Sequence, residues 1–136
     1  GVLGKDLKGK RLAFWGVAFK PRTDDIREAP SISLMRLAVA AGAKVRAFDP
    51  VALENLGKEF PEVEHAKDMY DALTGADALV ICTEWNEFRA PDFDRVAALL
   101  PSKLVFDGRN LFRREAMNER GFAYYSVGRS PVHPRK

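Results

Sequence analysis

Short apolar runs rich in β-branched and aromatic residues alternate along the chain with longer segments whose apolar positions recur at helical spacing. Such alternation is typical of a parallel sheet with crossover helices. The runs predict strands at about Arg11–Gly16, Lys44–Phe48, Ala78–Thr83, Leu104–Phe106 and Ala123–Val127, with a shorter strand near Val63–Ala66. The helical spacing predicts helices at Pro30–Ala41, Asp68–Thr74, Phe93–Leu100 and Arg113–Arg120.

The predicted fold is therefore α/β: a Rossmann-like, open, mostly parallel sheet of five or six strands with helices on both faces. The first helix is apolar on most sides and is followed by Gly42, a residue typical of helix C-termini. We expect this helix to be buried between the sheet and a neighbouring element.

Length and composition indicate one domain. The 136 residues are 46% hydrophobic and 30% charged, which suits a single core. Within residues 1–136, we expect 1–10 to be a lead-in from a missing upstream region and 130–136 to be a flexible tail. No apolar run is long enough for a membrane span and the start lacks a signal-peptide pattern, so a cytoplasmic location is expected.

Cysteine and histidine are too scarce for a metal centre. Cys82 is the only cysteine, which excludes an internal disulfide, and two scattered histidines complete no zinc-binding pattern. We predict no metal site.

Positive charge is concentrated near both ends of the chain. Residues 1–27 carry seven Lys and Arg against three Asp and Glu, and residues 109–136 carry seven against two. If the fold brings these segments together, they form a positive rim for phosphate; otherwise they are a basic start and tail. Nucleic acid is not the expected partner, because no basic stripe with interleaved aromatic residues is present.

The most heavily charged segment follows the first strand. Residues 16–30, Gly-Val-Ala-Phe-Lys-Pro-Arg-Thr-Asp-Asp-Ile-Arg-Glu-Ala-Pro, hold three cations and three carboxylates. Open α/β sheets bind ligands at the carboxyl ends of their strands, so Lys20 and Arg27 are candidates for an anionic ligand. The alternative is a solvated network in which the neighbouring carboxylates neutralise both cations. Gly16 alone occupies the turn where a dinucleotide fingerprint would have three glycines, so side chains must supply any phosphate contacts.

A second candidate lies after the strand at Leu104–Phe106, in the sequence Asp-Gly-Arg-Asn at 107–110. Gly108 permits a tight turn, and the planar fork of Arg109 suits a phosphate or a sugar hydroxyl. The alternative is an ion pair between Asp107 and Arg109 that only orders the turn. Because both candidate segments follow parallel strands, they are expected at the same edge of the sheet.

Three other residues have structural interpretations that weigh more than functional ones. Asp49 stands where a ribose-binding carboxylate would lie, but capping of a turn or of the next short helix is the simpler role. Trp85 offers an aromatic surface for a base, although packing is commoner. Cys82 lies in an apolar run without a neighbouring base, which favours a small buried hydrophobe over a nucleophile.

Together the motifs resemble the C-terminal domain of the UDP-glucose/GDP-mannose dehydrogenase family. The resemblance rests on residues 16–30, Phe-Asp-Pro at 48–50, Thr-Glu-Trp-Asn-Glu-Phe-Arg at 83–89, Asp-Gly-Arg-Asn at 107–110 and Tyr-Tyr-Ser-Val-Gly-Arg at 124–129. The 83–89 run and the Thr-Asp-Asp form are most similar to the UDP-glucose 6-dehydrogenase branch.

The resemblance assigns roles to individual residues. It implies that Phe19, Lys20 and Arg109 contact the nucleotide sugar and that Arg27 approaches NAD across a domain cleft. NAD itself is bound mainly by an N-terminal domain outside this chain. The catalytic cysteine belongs to a central segment that is also outside it, so the resemblance implies no catalytic residue here and no dehydrogenase activity of the chain alone.

The resemblance also implies partners: UDP-glucose or UDP, the NAD-binding and central domains of the same enzyme, and a homo-oligomer at full length. The family reaction oxidises UDP-glucose to UDP-glucuronate with NAD. Two alternatives remain open: the same domain of a GDP-mannose or UDP-N-acetyl-hexosamine dehydrogenase, and a non-catalytic nucleotide-binding or interface module.

Overall fold

The structure of the protein, a computed structural model, describes residues 9–17, 30–83 and 85–126. The predicted tail and most of the predicted lead-in lie outside these residues. Six strands form a single sheet, and five α-helices and one 3-10 helix connect them within the described residues. The strands are β1 Arg11–Trp15, β2 Lys44–Phe48, β3 Glu64–His65, β4 Ala78–Ile81, β5 Leu104–Asp107 and β6 Ala123–Ser126. The α-helices are α1 Pro30–Ala40, α2 Leu53–Glu59, α3 Asn86–Arg89, α4 Phe93–Leu99 and α5 Arg114–Glu119, and the 3-10 helix is Asp71–Leu73.

The strand order is β3-β2-β1-β4-β5-β6, and every pair of neighbours is parallel. The chain winds outward from β1 through β2 to β3 and then outward in the opposite direction from β4 through β5 to β6. This doubly wound order confirms the predicted α/β fold, and six strands is the higher of the two numbers predicted.

The direction of winding decides which face each helix covers. Crossovers between parallel strands are right-handed, so reversing the direction moves the helices to the other face. Accordingly α1 and α2 pack on one face of the sheet, which we call face A, and α4, α5 and the 3-10 helix pack on the opposite face, face B. Face A of β4, β5 and β6 therefore has no helix centred over it among the described residues.

Alternation along each strand divides the core between the two faces. In β1, Phe14 packs on face A whereas Ala13 and Trp15 pack on face B, and all three are almost completely buried. The indole Nε1 of Trp15 donates to the carbonyl oxygen of Met69 at 2.7 Å, which satisfies its buried N–H. The central strand is thus held from both sides.

Several helix predictions require correction. Neither α2 nor α3 was predicted, and the helix predicted at Asp68–Thr74 is only the 3-10 turn at its centre. The first helix is not buried on most sides: Leu34 is 46% exposed and Leu37 is 68% exposed. Its apolar outer surface faces no other element within the described residues.

Candidate functional site

A cavity of about 470 Å³ lies at the carboxyl ends of β4, β5 and β6, on the part of face A that no helix of the described residues covers. Its size is within the range of small-molecule sites, which is roughly 300–1,000 Å³. The apolar wall consists of Leu34 from α1 and Val80, Phe106 and Tyr125 from the sheet. The Phe106 and Tyr125 rings are stacked with their centroids 5.2 Å apart, so they form a continuous aromatic surface.

Polar groups line the strand-end side of this cavity. Arg109 follows β5, and Ser126 is the last residue of β6. The Ser126 Oγ atom is buried and has no hydrogen-bond partner among the described residues. Ser126 pairs with Asp107 and follows Tyr125 by one residue, so its side chain points to face B, away from the cavity. An apolar wall with a cation at one end suits an amphipathic anion.

The Asp107 carboxylate builds the turn that carries Arg109. Its Oδ1 accepts the backbone N–H of Arg109 at 2.8 Å, and its Oδ2 accepts the backbone N–H of Leu111 at 2.7 Å. The hydroxyl of Tyr124 donates to Oδ2 at 2.6 Å. Asp107 is 1% exposed, so these bonds satisfy a buried charge. Asp107 orders this turn through backbone N–H groups.

Cys82 lines the cavity but is a poor nucleophile. Burial raises the pKa of its thiol to about 12; the Asp107 carboxylate also raises this pKa, and Arg109 lowers it. The influence of Arg109 places its positive charge near the cavity. Cys82 is partly buried rather than fully buried, but its thiolate is scarce at neutral pH, so the structure favours a small hydrophobic role over a nucleophile.

This state of Cys82 can be measured by alkylation. At pH 8 the folded chain should react with iodoacetamide roughly 100- to 1,000-fold more slowly than the same chain in concentrated urea, because a thiol with an unperturbed pKa near 8.5 is far more ionised. Mass spectrometry of timed aliquots gives both rates. Since Cys82 is the only cysteine, the unfolded chain is its own control. Equal rates in the two conditions would show that the thiol is neither desolvated nor protected.

A second group of buried polar residues ties together the carboxyl ends of β1 and β2. Asp49, which is 2% exposed, accepts N–H groups from Val17 at 2.8 Å and from Val51 and Ala52 at 2.9 Å each. The hydroxyl of Ser31 donates to the carbonyl oxygen of Val17. Both polar groups of Val17 are therefore held, and Asp49 has the capping role that was its simpler interpretation.

The same edge is unsuited to the pyrophosphate of a dinucleotide. A Cβ atom at Gly16 would lie 2.4 Å from both Cβ and Oγ1 of Thr83, so the glycine accommodates this side chain and not a ligand. Partial burial, and secondarily the charge of Asp49, raise the pKa of Glu87. An anion would meet like charge here. The described residues at this turn do not fit NAD as the glycine-rich fingerprint would.

The structure places one of the four predicted site residues. Arg109 lines the cavity, and its contact with a nucleotide sugar stays a prediction. Phe19, Lys20 and Arg27 lie outside the described residues, so their roles stay predictions.

Sequence reasoning quoted Tyr124 and Ser126 within the 124–129 motif but assigned no role to them, and it did not single out Leu34. The strand was predicted to run to Val127, whereas β6 ends at Ser126. Leu34 gave no signal in the sequence, because its position beside the cavity depends on the strand order.

Among the described residues, no three His, Cys, Asp or Glu side chains are grouped where they would hold a metal ion. In the same part of the chain, no helix combines the length and the apolar character needed to cross a membrane.

Comparison with known proteins agrees with the motifs. The sequence model of the "UDP-glucose/GDP-mannose dehydrogenase family, UDP binding domain" matches residues 13–114. The UDP-glucose 6-dehydrogenase of Rhizobium meliloti (strain 1021) is 44% identical over 126 residues, which are 93% of this chain and 29% of that protein. The chain thus spans less than a third of that relative's length.

Two solved structures have the same fold. An NDP-N-acetyl-D-galactosaminuronic acid dehydrogenase from Methanosarcina mazei Go1 matches with a TM-score of 0.80 at 28% identity, covering 95% of this chain and 26% of that one. A UDP-glucose dehydrogenase from the archaeon Pyrobaculum islandicum matches with a TM-score of 0.76 at 28% identity, covering 92% and 27%. The family resemblance that the motifs indicated is confirmed.

Proposed function

Because the chain belongs to the UDP-glucose/GDP-mannose dehydrogenase family, as its UDP binding domain, we propose that it holds UDP-glucose for an NAD-dependent UDP-glucose 6-dehydrogenase. The observation that carries the proposal is the cavity on face A, which joins an aromatic wall to Arg109. The full enzyme oxidises the sugar to UDP-glucuronate. The contribution of this domain is binding and orientation, not bond breaking.

The chemistry of the cavity matches the parts of a nucleotide sugar. The guanidinium of Arg109 pairs with a phosphate or a sugar hydroxyl through charge-assisted hydrogen bonds. The stacked rings of Phe106 and Tyr125 offer an apolar surface to a base or to a sugar ring. Phe19 and Lys20 add contacts from the segment after β1, so that the ligand bridges the ends of two strands.

The cofactor belongs mainly to another domain. NAD supplies the hydride acceptor when it is bound, and Arg27 reaches toward it from this domain. The packing of Thr83 on Gly16 supports this division, because the space beside Gly16 is taken by a side chain of this chain.

The remaining parts of the enzyme provide the partners. Leu34, which lines the cavity, and Leu37, three residues further along α1, expose apolar surface, and such surface favours contact with another domain of the same enzyme. We also propose that the full-length enzyme is a homo-oligomer. A cytoplasmic location accompanies the proposal and is compatible with a single cysteine, which leaves no internal disulfide.

The test is a calorimetric titration of the purified chain with UDP, UDP-glucose, GDP-mannose and NAD at two salt concentrations. We expect binding of the uridine ligands that weakens with added salt, since screening reduces phosphate contacts. Arg109→Ala should weaken UDP binding about 10- to 100-fold, which is the range for a hydrogen bond to a charged group. Lys20→Ala should act in the same direction.

A matched control is Arg11→Ala. It removes the same charge at the amino end of β1, whereas the cavity lies at the carboxyl ends of the strands. If Arg109→Ala and Arg11→Ala weaken UDP binding by the same factor, the loss comes from the change in net charge, and the cavity is not the binding site. Preference for GDP-mannose would assign the chain to that branch of the family. No binding of any ligand would favour the interface module, which the exposed leucines of α1 support.

A further inference from the structure

We propose that Tyr124 and Asp107 are positioning residues for Arg109, setting the affinity for the uridine nucleotide without touching it. The identity of the ligand rests on the proposed function; the positioning itself rests on hydrogen bonds of the described residues. The two side chains form a buried network beneath the turn that follows β5.

The network fixes the backbone on both sides of a left-handed residue. Asp107 binds the N–H groups of Arg109 and Leu111, and Asn110 between them has a φ of 57°. Asparagine tolerates this region better than most residues but does not prefer it to ordinary backbone, so the turn needs support from its surroundings. The hydrogen bonds to Asp107 fix this backbone, and the backbone in turn sets the direction of the Arg109 side chain.

Tyr124 holds the carboxylate in place. Its hydroxyl donates to Asp107 at 2.6 Å and accepts the N–H of Phe112 at 3.3 Å. Tyr124 is fully buried, with no exposed surface, and Asp107 is 1% exposed. In such surroundings water cannot replace the hydrogen bond, so its loss would loosen the turn.

The position of Tyr124 excludes direct contact with a ligand in the cavity. Its ring packs in the core of face B, beside Phe112, whereas Tyr125 points into face A and lines the cavity. Any effect of the Tyr124 hydroxyl on ligand affinity must therefore pass through the turn. This separation makes the proposal testable by removing one oxygen atom.

The variant is Tyr124→Phe, and its control is Tyr70→Phe. The Tyr70 hydroxyl also accepts a backbone N–H, from Asp92, but it lies before α4 and not at the Arg109 turn. We expect Tyr124→Phe to raise the amide exchange rates of Arg109 and Leu111 about 10-fold while the Phe14 amide in β1 is unchanged. Tyr70→Phe should leave all three rates as they are.

Ligand affinity gives the second readout. Tyr124→Phe should weaken UDP binding about 3- to 10-fold, and it should have no further effect in an Arg109→Ala background, because positioning acts only through the side chain that is positioned. Asp107→Asn, which keeps one carbonyl oxygen, should show the same pattern and serves if Tyr124→Phe does not fold.

The outcomes separate this proposal from the previous one. If the unaltered chain binds no UDP, the proposed ligand fails, and amide exchange alone decides: faster exchange at Arg109 and Leu111 supports positioning of the turn, and unchanged exchange overturns it. If the chain binds UDP, a Tyr124→Phe variant with unaltered affinity overturns the proposal. An equal loss of affinity with and without Arg109 also overturns it.

Discussion

Replacing Asp49 with alanine should lower the free energy of unfolding by about 3–5 kcal/mol, since two buried N–H groups and one partly buried N–H group would lose their acceptor at about 1–3 kcal/mol each, less than additively. These are the N–H groups of Val17, Val51 and Ala52, and all three bonds are 2.8–2.9 Å long. The end of β1 and the start of α2 would loosen together. Urea denaturation followed by far-UV circular dichroism measures the change.

The control is Asp92→Ala. Asp92 also accepts a backbone N–H, that of Arg95 at the start of α4, but it is exposed and water can replace it. The expected loss is about 1 kcal/mol, the usual cost of removing an N-cap. Asp49→Asn, which retains one acceptor oxygen, should fall between the two variants. If Asp49→Ala cost no more than Asp92→Ala, the buried network would not be holding these strand ends.

Gly16→Ala should also cost about 3–5 kcal/mol, through a clash and an unfavourable backbone conformation at the same position. The added Cβ would lie 2.4 Å from the Thr83 side chain and 2.8 Å from the Thr83 backbone nitrogen, and φ of Gly16 is +93°. Relief requires β1 and β4 to separate at their carboxyl ends, because moving the side chain alone leaves the backbone contact. Thermal and urea unfolding report the loss.

Gly9→Ala isolates the conformational part of this effect. Gly9 has a φ of +81°, close to that of Gly16, but a Cβ there meets nothing within 4 Å. Its expected cost is about 1–2 kcal/mol, the penalty for a left-handed backbone alone. The difference between the two variants measures the contact between β1 and β4. Equal costs would mean that the two strand ends separate freely.

Strands were easier to predict than helices, because a buried strand appears in the sequence as a short run of consecutive apolar residues. Helix α2 was missed since Gly57 lies in its interior and glycine disfavours helices. The structure explains the glycine: a Cβ there would come within 3.0 Å of the His65 ring in β3. A contact between elements thus outweighs local propensity, and no pattern within the helix reveals it.

The candidate site likewise has one part that the local sequence predicts and one part that depends on contacts between elements. Arg109 was predicted because a cation after a parallel strand is visible in the sequence. The apolar wall was not, because it depends on β4, β5 and β6 being neighbours on one half of the sheet. The same dependence explains α1: its apolar residues predicted burial, yet Leu34 at the cavity and Leu37 are both exposed in the part of the chain that the structure describes.

The half of face A that lacks a helix has a thermodynamic consequence. A layer missing from the described chain is completed by whatever occupies that half, so the occupant contributes to the stability of the fold. A ligand that binds only the folded chain adds about 2.7 kcal/mol at 100 times its dissociation constant. The melting temperature of this domain then depends on how much of the ligand is bound as well as on the packing of its core. It rises with the concentration of the molecule that the domain recognises.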